Sequence, residues 1–206
     1  KVQETVGKQG LLLPLDLGAR GSCTIGGNLA TNAGGMNVIR YGMVRALTVG
    51  LEAVLPDGTV VSSMDKMIKN NAGFDLKQLF IGTEGALGVI TRAILRLRPL
   101  PVTKNTAMAA VKNFDNIAKL LRYLQTRLGG NLSAYEMMEG DYFQAVTEPG
   151  WHRAPLDRAS PYYVLWESDG SDAARDDDHF QEVLEGAFED GLIDDAAIPK
   201  SETERN

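Results

Sequence analysis

The stretch Gly18-Ala-Arg-Gly21-Ser-Cys-Thr-Ile-Gly26-Gly27-Asn28-Leu-Ala-Thr31-Asn32-Ala-Gly34-Gly35 indicates more about the fold than any other part of the chain. It contains six glycines in 18 residues, and such density lets a backbone adopt positive φ and approach a ligand closely. The Ser, Thr and Asn side chains between the glycines, together with backbone N–H groups, are typical of a loop that holds a polyanion such as a pyrophosphate. The alternative is a tight loop between strands that binds no ligand.

The spacing of the glycines excludes two common phosphate-binding motifs. No Gly-Lys-Ser/Thr follows, as a P-loop requires, and the glycines do not have G-x-G-x-x-G spacing. A second segment, Gly82-Thr-Glu84-Gly85-Ala-Leu-Gly88, has glycines three residues apart. No strand is predicted before it, and no acidic residue follows at the distance that a nicotinamide site needs. We therefore exclude a Rossmann site.

The first half of the chain is predicted to contain a β-hairpin, a short helix and a further strand. Residues 47–63 have an alternating segment, a Pro56-Asp57-Gly58 turn and a second β-prone segment, which together predict the hairpin. Asp75 is expected to cap the short helix, which Gly82 ends. The strand is expected over residues 88–97.

Pro99 and Pro101 interrupt the strand pattern and mark the boundary between two expected domains, residues 1–100 and 101–206. In the second domain, strands are expected to alternate with long amphipathic helices, the second of which Ser171 caps. The strands are expected over Thr106–Val111, Leu132–Met138 and Tyr162–Glu167, the long helices over Phe114–Leu128 and Ser171–Gly191, a short helix over Asp141–Thr147 and a loop over Glu148–Pro161. This order predicts a ferredoxin-like α+β layer.

Charge is distributed unevenly between the two halves. Residues 1–100 hold 11 Lys/Arg and 7 Asp/Glu, a net charge of +4, whereas residues 101–206 hold 10 and 20, a net charge of −10. A mildly basic half suits a bound dinucleotide, and an acidic half argues against nucleic-acid binding. Ordinary solvation of two different domain surfaces explains the asymmetry equally well.

The sequence also contains signals about compartment. No apolar run reaches the roughly 20 residues of a transmembrane helix, and no signal peptide is visible at the start. The single Cys23 excludes an internal disulfide and fits a reducing compartment, so we expect a cytoplasmic protein, peripheral to a membrane at most through its electron acceptor. Because the chain starts on Lys1 and ends on a charged segment, we expect neither end to be a natural terminus.

Four motifs carry a family resemblance. They are Pro14–Asn28, Thr31–Gly35, Arg40–Gly42 and Lys69–Thr91, and they occur in that order. Together they resemble FAD-linked oxidases of the vanillyl-alcohol oxidase type, with a PCMH-type FAD-binding domain. Within that superfamily the chain is most similar to the D-2-hydroxyglutarate and D-lactate dehydrogenases and the glycolate oxidase D subunit. The resemblance is dense over about residues 10–100 and collinear beyond them.

The resemblance implies an α+β protein: the second half of a PCMH-type FAD-binding domain over residues 1–100, then part of a ferredoxin-like cap domain. It implies oxidation of a D-2-hydroxy acid to the 2-oxo acid by hydride transfer to non-covalent FAD, with a quinone, an electron-transfer flavoprotein or a cytochrome as electron acceptor. Residues 1–100 contain no histidine, so this part of the chain cannot form a covalent histidyl link to the flavin. The alternatives are an aryl-alcohol oxidase or alkyl-transferring synthase of the same superfamily, and a non-catalytic ferredoxin-like interaction module.

The resemblance also assigns site residues. The cofactor-binding residues it implies are Asp16, Gly21, Ser22, Cys23, Thr24, Gly26, Gly27, Asn28, Thr31, Asn32, Glu84, Gly88, Val89 and Ile90. Arg40 and Tyr41 are candidates for substrate binding, with a surface ion pair and a half-buried core ring as equally weighted alternatives. A redox role for Cys23 is disfavoured because no second cysteine could resolve it.

No catalytic residue is assigned. The family's Trp-x-x-Arg motif and its histidine-containing metal and substrate site would follow the segment 201–205, so the base is expected outside these 206 residues. The chain alone is therefore expected to bind FAD poorly and to be inactive. We expect no metal site: the only histidines are His152 and His179, and the run Asp176–His179 is interpreted as a solvated helix face because consecutive helical residues do not converge on one point.

Overall fold

A computed structural model describes residues 1–148 and 154–199. The chain divides into two compact units, Lys1–Leu100 and Pro101–Asn206. No helix in the described ranges is long and apolar enough to cross a membrane.

The first unit is built around a small antiparallel sheet. Its helices are α1 (Val2–Gly7), α2 (Ile25–Ala30), α3 (Val38–Tyr41) and α4 (Val44–Leu47), with a 3-10 helix over Leu76–Leu79, and its strands are β1 (Leu11–Leu12), β2 (Thr48–Val54), β3 (Val60–Ser63), β4 (Val89–Leu95) and β5 (Arg98–Pro99). The sheet order is β3-β2-β4, and β1 pairs separately with β5. The predicted hairpin is confirmed as β2 and β3, with Gly58 at φ 86° in the turn.

The core of the first unit lies where β2 meets the helices. Leu51 and Ala53 of β2 are buried together with Val44 and Leu47 of α4. Leu29 of α2 is 1% exposed and belongs to the same cluster. Leu29, with the partly buried Ile25 and Ala33, therefore attaches the glycine-rich stretch to the core.

The second unit has the predicted ferredoxin-like topology. Its elements are β6 (Thr103–Val111), α5 (Phe114–Arg127), β7 (Leu132–Glu139), α6 (Gly140–Val146), β8 (Tyr162–Gly170), α7 (Asp176–Glu189) and β9 (Asp195–Ala197). The strands form an antiparallel sheet in the order β7-β8-β6-β9. The apolar faces of α5 and α7 pack on this sheet around Trp166, which is fully buried.

Two helix starts differ from the prediction. Ser171 does not cap α7, which begins at Asp176, because Asp172 first forms a turn in which its Oδ1 accepts from the Ala174 N–H at 3.0 Å. Asp75 precedes a 3-10 helix without capping it, since its carboxylate accepts instead from Lys77 Nζ at 2.5 Å. In both cases a local side-chain bond competes with the helix cap. Residues 149–153 of the expected loop lie outside the described ranges.

Candidate flavin-binding site

The glycine-rich stretch is part turn and part helix. Residues 18–22 form turns, and α2 begins at Ile25 after an extended Thr24 whose Oγ1 accepts from the Gly27 N–H at 3.1 Å. We did not predict this helix because Gly26 and Gly27 have low helix propensity. The Thr24 cap makes it possible by satisfying one of the N–H groups that a helix start leaves free.

The glycines of the stretch fall into two physical classes. Gly21 and Gly26 are exposed and have no positive φ, and apart from its immediate chain neighbours a Cβ added to either would meet no atom of the described residues within 4 Å. The protein's own packing therefore gives no reason for glycine at these two positions. A Cβ at Gly27, in contrast, would lie 3.1 Å from Thr24 Oγ1. The open space beside Gly21 and Gly26 fits a bound group such as a dinucleotide lying against the backbone.

The polar side chains of the stretch are mostly exposed. Ser22, Cys23, Thr24 and Thr31 lie on the surface, and Thr31 Oγ1 donates to the Gly27 carbonyl at 2.9 Å. Asn28 is 6% exposed, and its Nδ2 donates to the Cys23 sulfur at 3.6 Å. Asn28 is thus a buried side chain that stabilises the preceding turn at Cys23.

The two ends of the stretch meet. Gly35 has φ 92°, and a Cβ there would lie 1.8 Å from the carbonyl oxygen of Asp16. The same carbonyl accepts from the Met36 N–H at 3.1 Å, while the Asp16 carboxylate pairs with Arg20 at 3.2 Å. Asp16, predicted to bind cofactor, therefore closes the loop with its backbone.

The structure brings the second glycine segment against the end of α2. The Gly82 N–H donates to the Leu29 carbonyl at 3.0 Å, and the Glu84 N–H donates to the Ala30 carbonyl at 2.9 Å. Asn32 and Glu84 have φ values of 50° and 53°, which non-glycine residues rarely adopt. Two segments that were predicted separately to hold cofactor thus form one surface.

The last three predicted cofactor residues lie along the sheet. Gly88 is buried, and a Cβ there would lie 2.7 Å from the Val54 carbonyl, so its glycine is required by packing against β2. Val89 pairs with Val54 and is 66% exposed, whereas Ile90 packs partly into the core. Of the three, Val89 is the one with a freely accessible side chain.

Arg45 in α4 is a residue that the sequence analysis missed. Its Nη1 donates to the Gln78 carbonyl at 2.6 Å and its Nη2 to the Ile81 carbonyl, while its backbone N–H donates to Asn32 Oδ1 at 3.2 Å. Its partners lie 13 to 36 residues away in the sequence, and no local pattern reveals such a link.

Arg40 and Tyr41 lie side by side in α3. The guanidinium of Arg40 is 5.1 Å from the centroid of the Tyr41 ring, and that of Arg98 is 6.0 Å from it. Both distances are typical of cation–π contacts. Arg98 Nε is buried and has no hydrogen-bond partner among the described residues. The three side chains form a half-buried cationic cluster around one phenol.

Two residues of the acidic run at the start of α7, Asp176 and His179, contact residues of other elements in the second unit. Asp176 Oδ2 accepts from Thr103 Oγ1 at 2.6 Å, and this bond holds the pKa of Asp176 below its usual value. His179 Nε2 lies 3.0 Å from the Arg127 carbonyl oxygen. Within residues 1–148 and 154–199 no group of three or more His, Cys, Asp or Glu side chains is placed to hold a metal ion; His152 is outside these ranges.

Family models match both units. Residues 1–63 match the family described as FAD binding domain, and residues 100–206 match the family described as FAD linked oxidases, C-terminal domain. The second match covers more than half of the chain. The chain therefore belongs to the FAD-linked oxidase family.

Similar proteins lie within the same family. The chain is 42% identical over 201 residues to a mitochondrial D-2-hydroxyglutarate dehydrogenase of Bos taurus, covering 98% of this chain and 37% of that protein. It is 39% identical over 191 residues to the Arabidopsis thaliana enzyme of that name, covering 92% of this chain and 34% of the relative. It is 36% identical over 194 residues to a D-2-hydroxyglutarate–pyruvate transhydrogenase of Saccharomyces cerevisiae, covering 94% and 39%.

A solved structure has the same fold. An alkyldihydroxyacetonephosphate synthase superposes with a TM-score of 0.73 at 20% identity, covering 98% of this chain and 39% of the synthase. At this identity the likeness concerns the fold alone. The chain spans less than two fifths of the length of these curated relatives.

The expected cytoplasmic location was wrong. The Bos taurus and Arabidopsis thaliana relatives are mitochondrial proteins, which conflicts with that expectation. The signal that misled us was the lone Cys23, because a single cysteine indicates a reducing environment without saying which one.

Proposed function

We propose that the protein containing this chain oxidises a D-2-hydroxy acid, of the 2-hydroxyglutarate, lactate or glycolate type, to the corresponding 2-oxo acid, using non-covalent FAD. The observation that carries the proposal is 42% identity to a D-2-hydroxyglutarate dehydrogenase over 98% of the chain. When bound, FAD supplies the hydride acceptor for such a reaction. Reduced flavin would then pass electrons to a quinone, an electron-transfer flavoprotein or a cytochrome.

The two units have different roles in this proposal. Residues 1–100 are the C-terminal part of the FAD-binding domain, and residues 101–206 are the N-terminal part of the cap, or substrate, domain. The division of the chain after Leu100 and the family matches at residues 1–63 and 100–206 support these roles.

The first unit would hold FAD with backbone as much as with side chains. The N–H groups of Ile25 and Gly26 come before Asn28, whose N–H is the first to donate to a carbonyl of the helix start, that of Thr24. Among the described residues neither N–H has an acceptor, so both can donate to a ligand. The space beside Gly21 and Gly26 admits the ligand to the backbone. The proposed cofactor residues are Asp16, Gly21, Ser22, Cys23, Thr24, Gly26, Gly27, Asn28, Thr31, Asn32, Glu84, Gly88, Val89 and Ile90, of which Asp16, Gly27, Asn28 and Gly88 would act by shaping the loops.

Arg40 and Tyr41 would serve the substrate. A guanidinium suits a carboxylate because it offers donors in a planar fork, and the phenol of Tyr41 offers a further hydrogen bond. The cation–π contact between them restricts the orientation of both side chains. We assign no residue of this chain as the base that takes the hydroxyl proton.

The test uses the full-length protein, purified without added cofactor. Its visible spectrum is recorded, and D- and L-2-hydroxy acids are then added without oxygen. A flavin band that bleaches with a D-acid and not with its L-enantiomer supports the proposal. A band that no 2-hydroxy acid bleaches would indicate another reaction of the superfamily, such as aryl-alcohol oxidation or alkyl transfer. A protein that takes up no FAD would contradict the enzyme assignment and favour an interaction module.

A further inference from the structure

Arg45 connects two separate loops. Its guanidinium binds the carbonyls of Gln78 and Ile81, which lead into the Gly82 turn, and its backbone N–H binds the Asn32 side chain after α2. Its neighbours Val44 and Leu47 are 0% and 1% exposed, so α4 is held firmly in the core. Ile81, which accepts from the guanidinium, is also buried at 1% exposure, whereas Gly82 and Glu84, which follow it, are exposed.

The loops are close-packed at the place where Arg45 meets them. Gly82 has φ 81°, and a Cβ there would lie 3.1 Å from Asn32 Cβ and 3.3 Å from Arg45 Nη2. A methyl group at Gly82 would therefore lie closer to Asn32 and Arg45 than most side-chain contacts allow, at a φ that favours glycine. Close packing at this contact therefore restricts how the two loops lie relative to each other.

Both loops contain an unfavourable backbone conformation. Asn32 and Glu84 are the two non-glycine residues with positive φ in the described part of the chain. Such conformations persist where surrounding contacts enforce them, and they concentrate at ligand sites. Asn32 accepts directly from Arg45, and Glu84 follows the turn whose preceding carbonyls Arg45 binds.

The charge of Arg45 is not neutralised by an acid. No carboxylate among residues 1–148 and 154–199 forms an ion pair with it; its guanidinium is bound by carbonyl dipoles and the Gln78 amide oxygen. A guanidinium stays charged at any physiological pH. A positive charge close to both loops favours an anionic ligand there.

We infer that Arg45 is a positioning residue for FAD: it holds the loop at residues 31–35 and the turn at residues 82–84 in the one arrangement that binds the cofactor. This inference rests on the proposed function, because it takes both loops to be part of the FAD site. Arg45 acts through Asn32, Gln78 and Ile81 and is not itself assigned a contact with the cofactor. Losing it should loosen both loops and weaken FAD binding.

The test compares Arg45→Ala, Arg45→Lys and the control Arg92→Ala in the full-length protein. Arg92 lies on β4 with 71% of its side chain exposed and a long 3.5 Å contact to Glu52, so its removal controls for charge alone. FAD affinity is measured by fluorescence titration of the apoprotein, and the visible circular dichroism of the flavin is recorded at saturating FAD. Amide hydrogen exchange of residues 31–35 and 82–86 is measured in the apoprotein.

Arg45→Ala should weaken FAD binding by about tenfold or more, as expected for lost charge-assisted hydrogen bonds, and should change the flavin dichroism and speed exchange in both loops. Arg45→Lys keeps the charge but cannot reach both carbonyls with one planar fork, so it should remain impaired in all three measurements. Arg92→Ala should match the wild type.

Each other outcome has a definite meaning. Wild-type affinity and dichroism in Arg45→Ala, or full recovery in Arg45→Lys, would overturn the positioning role while leaving the proposed function intact. A wild-type protein that binds no FAD would contradict the proposed function. In that case, loop exchange in the Arg45→Ala apoprotein that is unchanged from the wild type would separately overturn the role of Arg45. If Arg45→Ala does not fold, Arg45→Lys decides through the same three measurements.

Discussion

At the scale of single residues, glycine has two different uses in the candidate site. Gly35 and Gly88 are required by the protein itself, because a side chain at either would collide with a backbone carbonyl, of Asp16 and Val54 respectively. Gly21 and Gly26 have open space around them and ordinary backbone angles. Because packing does not require glycine at these two exposed positions, we attribute Gly21 and Gly26 to the cofactor that the loop would bind.

Gly35→Ala should therefore be severely destabilising. The new Cβ would lie 1.8 Å from the Asp16 carbonyl at a φ of 92°, so both the contact and the backbone angle are unfavourable. We expect a loss of more than about 3 kcal/mol in the free energy of unfolding, measured by urea denaturation. A loss under about 1 kcal/mol would mean that the loop can move away from the Asp16 carbonyl at little cost in stability, and would contradict this prediction.

Gly21→Ala should weaken FAD binding with little change in stability. Its Cβ would occupy the open space assigned to the cofactor, where no atom of the described part of the chain lies within 4 Å beyond its chain neighbours. The control is Gly130→Ala in the second unit, where a Cβ also meets no atom within 4 Å. We expect a shift of at most about 0.5 kcal/mol in unfolding free energy for both variants, and a raised Kd for FAD in Gly21→Ala alone. Equal Kd values for the two variants would remove Gly21 from the cofactor site.

At the scale of elements, α7 is attached at its first turn and along its length. Asp176 accepts from Thr103 Oγ1 of β6 and from the Asp172 N–H. Gly170 leaves the room for this, since a Cβ there would lie 2.1 Å from Asp176 Oδ2. Further along, Tyr123 of α5 donates to the Val183 carbonyl at 3.1 Å. The local turn at Asp172 determines where α7 starts, and side chains of β6 and α5 then hold α7 in place.

The Asp176 contact should depend on pH. The Thr103 hydrogen bond lowers the pKa of Asp176 from 3.8 in the folded protein, so the stabilisation is present above pH 3.8 and is lost as the pH falls through the lower folded-state value. Asp176→Asn should cost about 1 kcal/mol at pH 7 in urea unfolding, with the difference from wild type shrinking below pH 3.8. Asp177→Asn, one residue on and exposed, is the matched control. A difference that stays constant down to pH 3 would contradict the ionic origin.

The contact between α5 and α7 should be sensitive to one methyl group. A Cβ at Gly186 would lie 2.3 Å from the Tyr123 hydroxyl, so Gly186→Ala must displace the ring and break its bond to Val183. We expect a loss of about 1–3 kcal/mol in unfolding free energy. In a Tyr123→Phe background the same change should cost less, because the colliding oxygen is gone. Strict additivity of the two substitutions would show that Gly186 and Tyr123 do not interact.

At the scale of the whole molecule, two units with separate cores carry opposite net charges. The first has a net charge of +4 and contains both loops of the candidate site, while the second has a net charge of −10 and a four-stranded sheet covered by α5 and α7. A mildly basic unit suits a ligand with a diphosphate, because the mean potential around it favours anions.

FAD should stabilise the full-length protein by an amount that grows with the logarithm of the FAD concentration. A ligand that binds only the folded state adds about 2.7 kcal/mol to the unfolding free energy when its concentration is a hundred times its Kd. This stabilisation appears as a raised Tm. Riboflavin lacks both the diphosphate and the adenosine of FAD, so at equal concentration it should raise the Tm less if the first unit holds that part of the cofactor. Equal shifts with the two compounds would argue against a diphosphate site.

Much of the topology was predictable because it depends on local pattern. The alternation in β2, the turn at Gly58 and the apolar stripe of α5 follow from the periods of strand and helix, and those periods are properties of the backbone. The ferredoxin-like order follows from the succession of such elements. The family resemblance likewise needed only motifs in sequence order, and the match to the FAD-linked oxidases confirms it.

The tertiary structure alone shows which residues of the candidate site contact one another. Arg45 binds carbonyls up to 36 residues away, and Gly35 is required by a carbonyl that lies 19 residues earlier. No periodicity records such contacts, since they depend on the distance between atoms that only packing brings together. Local sequence determines the elements of this protein, and long-range packing determines the site because a site is made of contacts between elements.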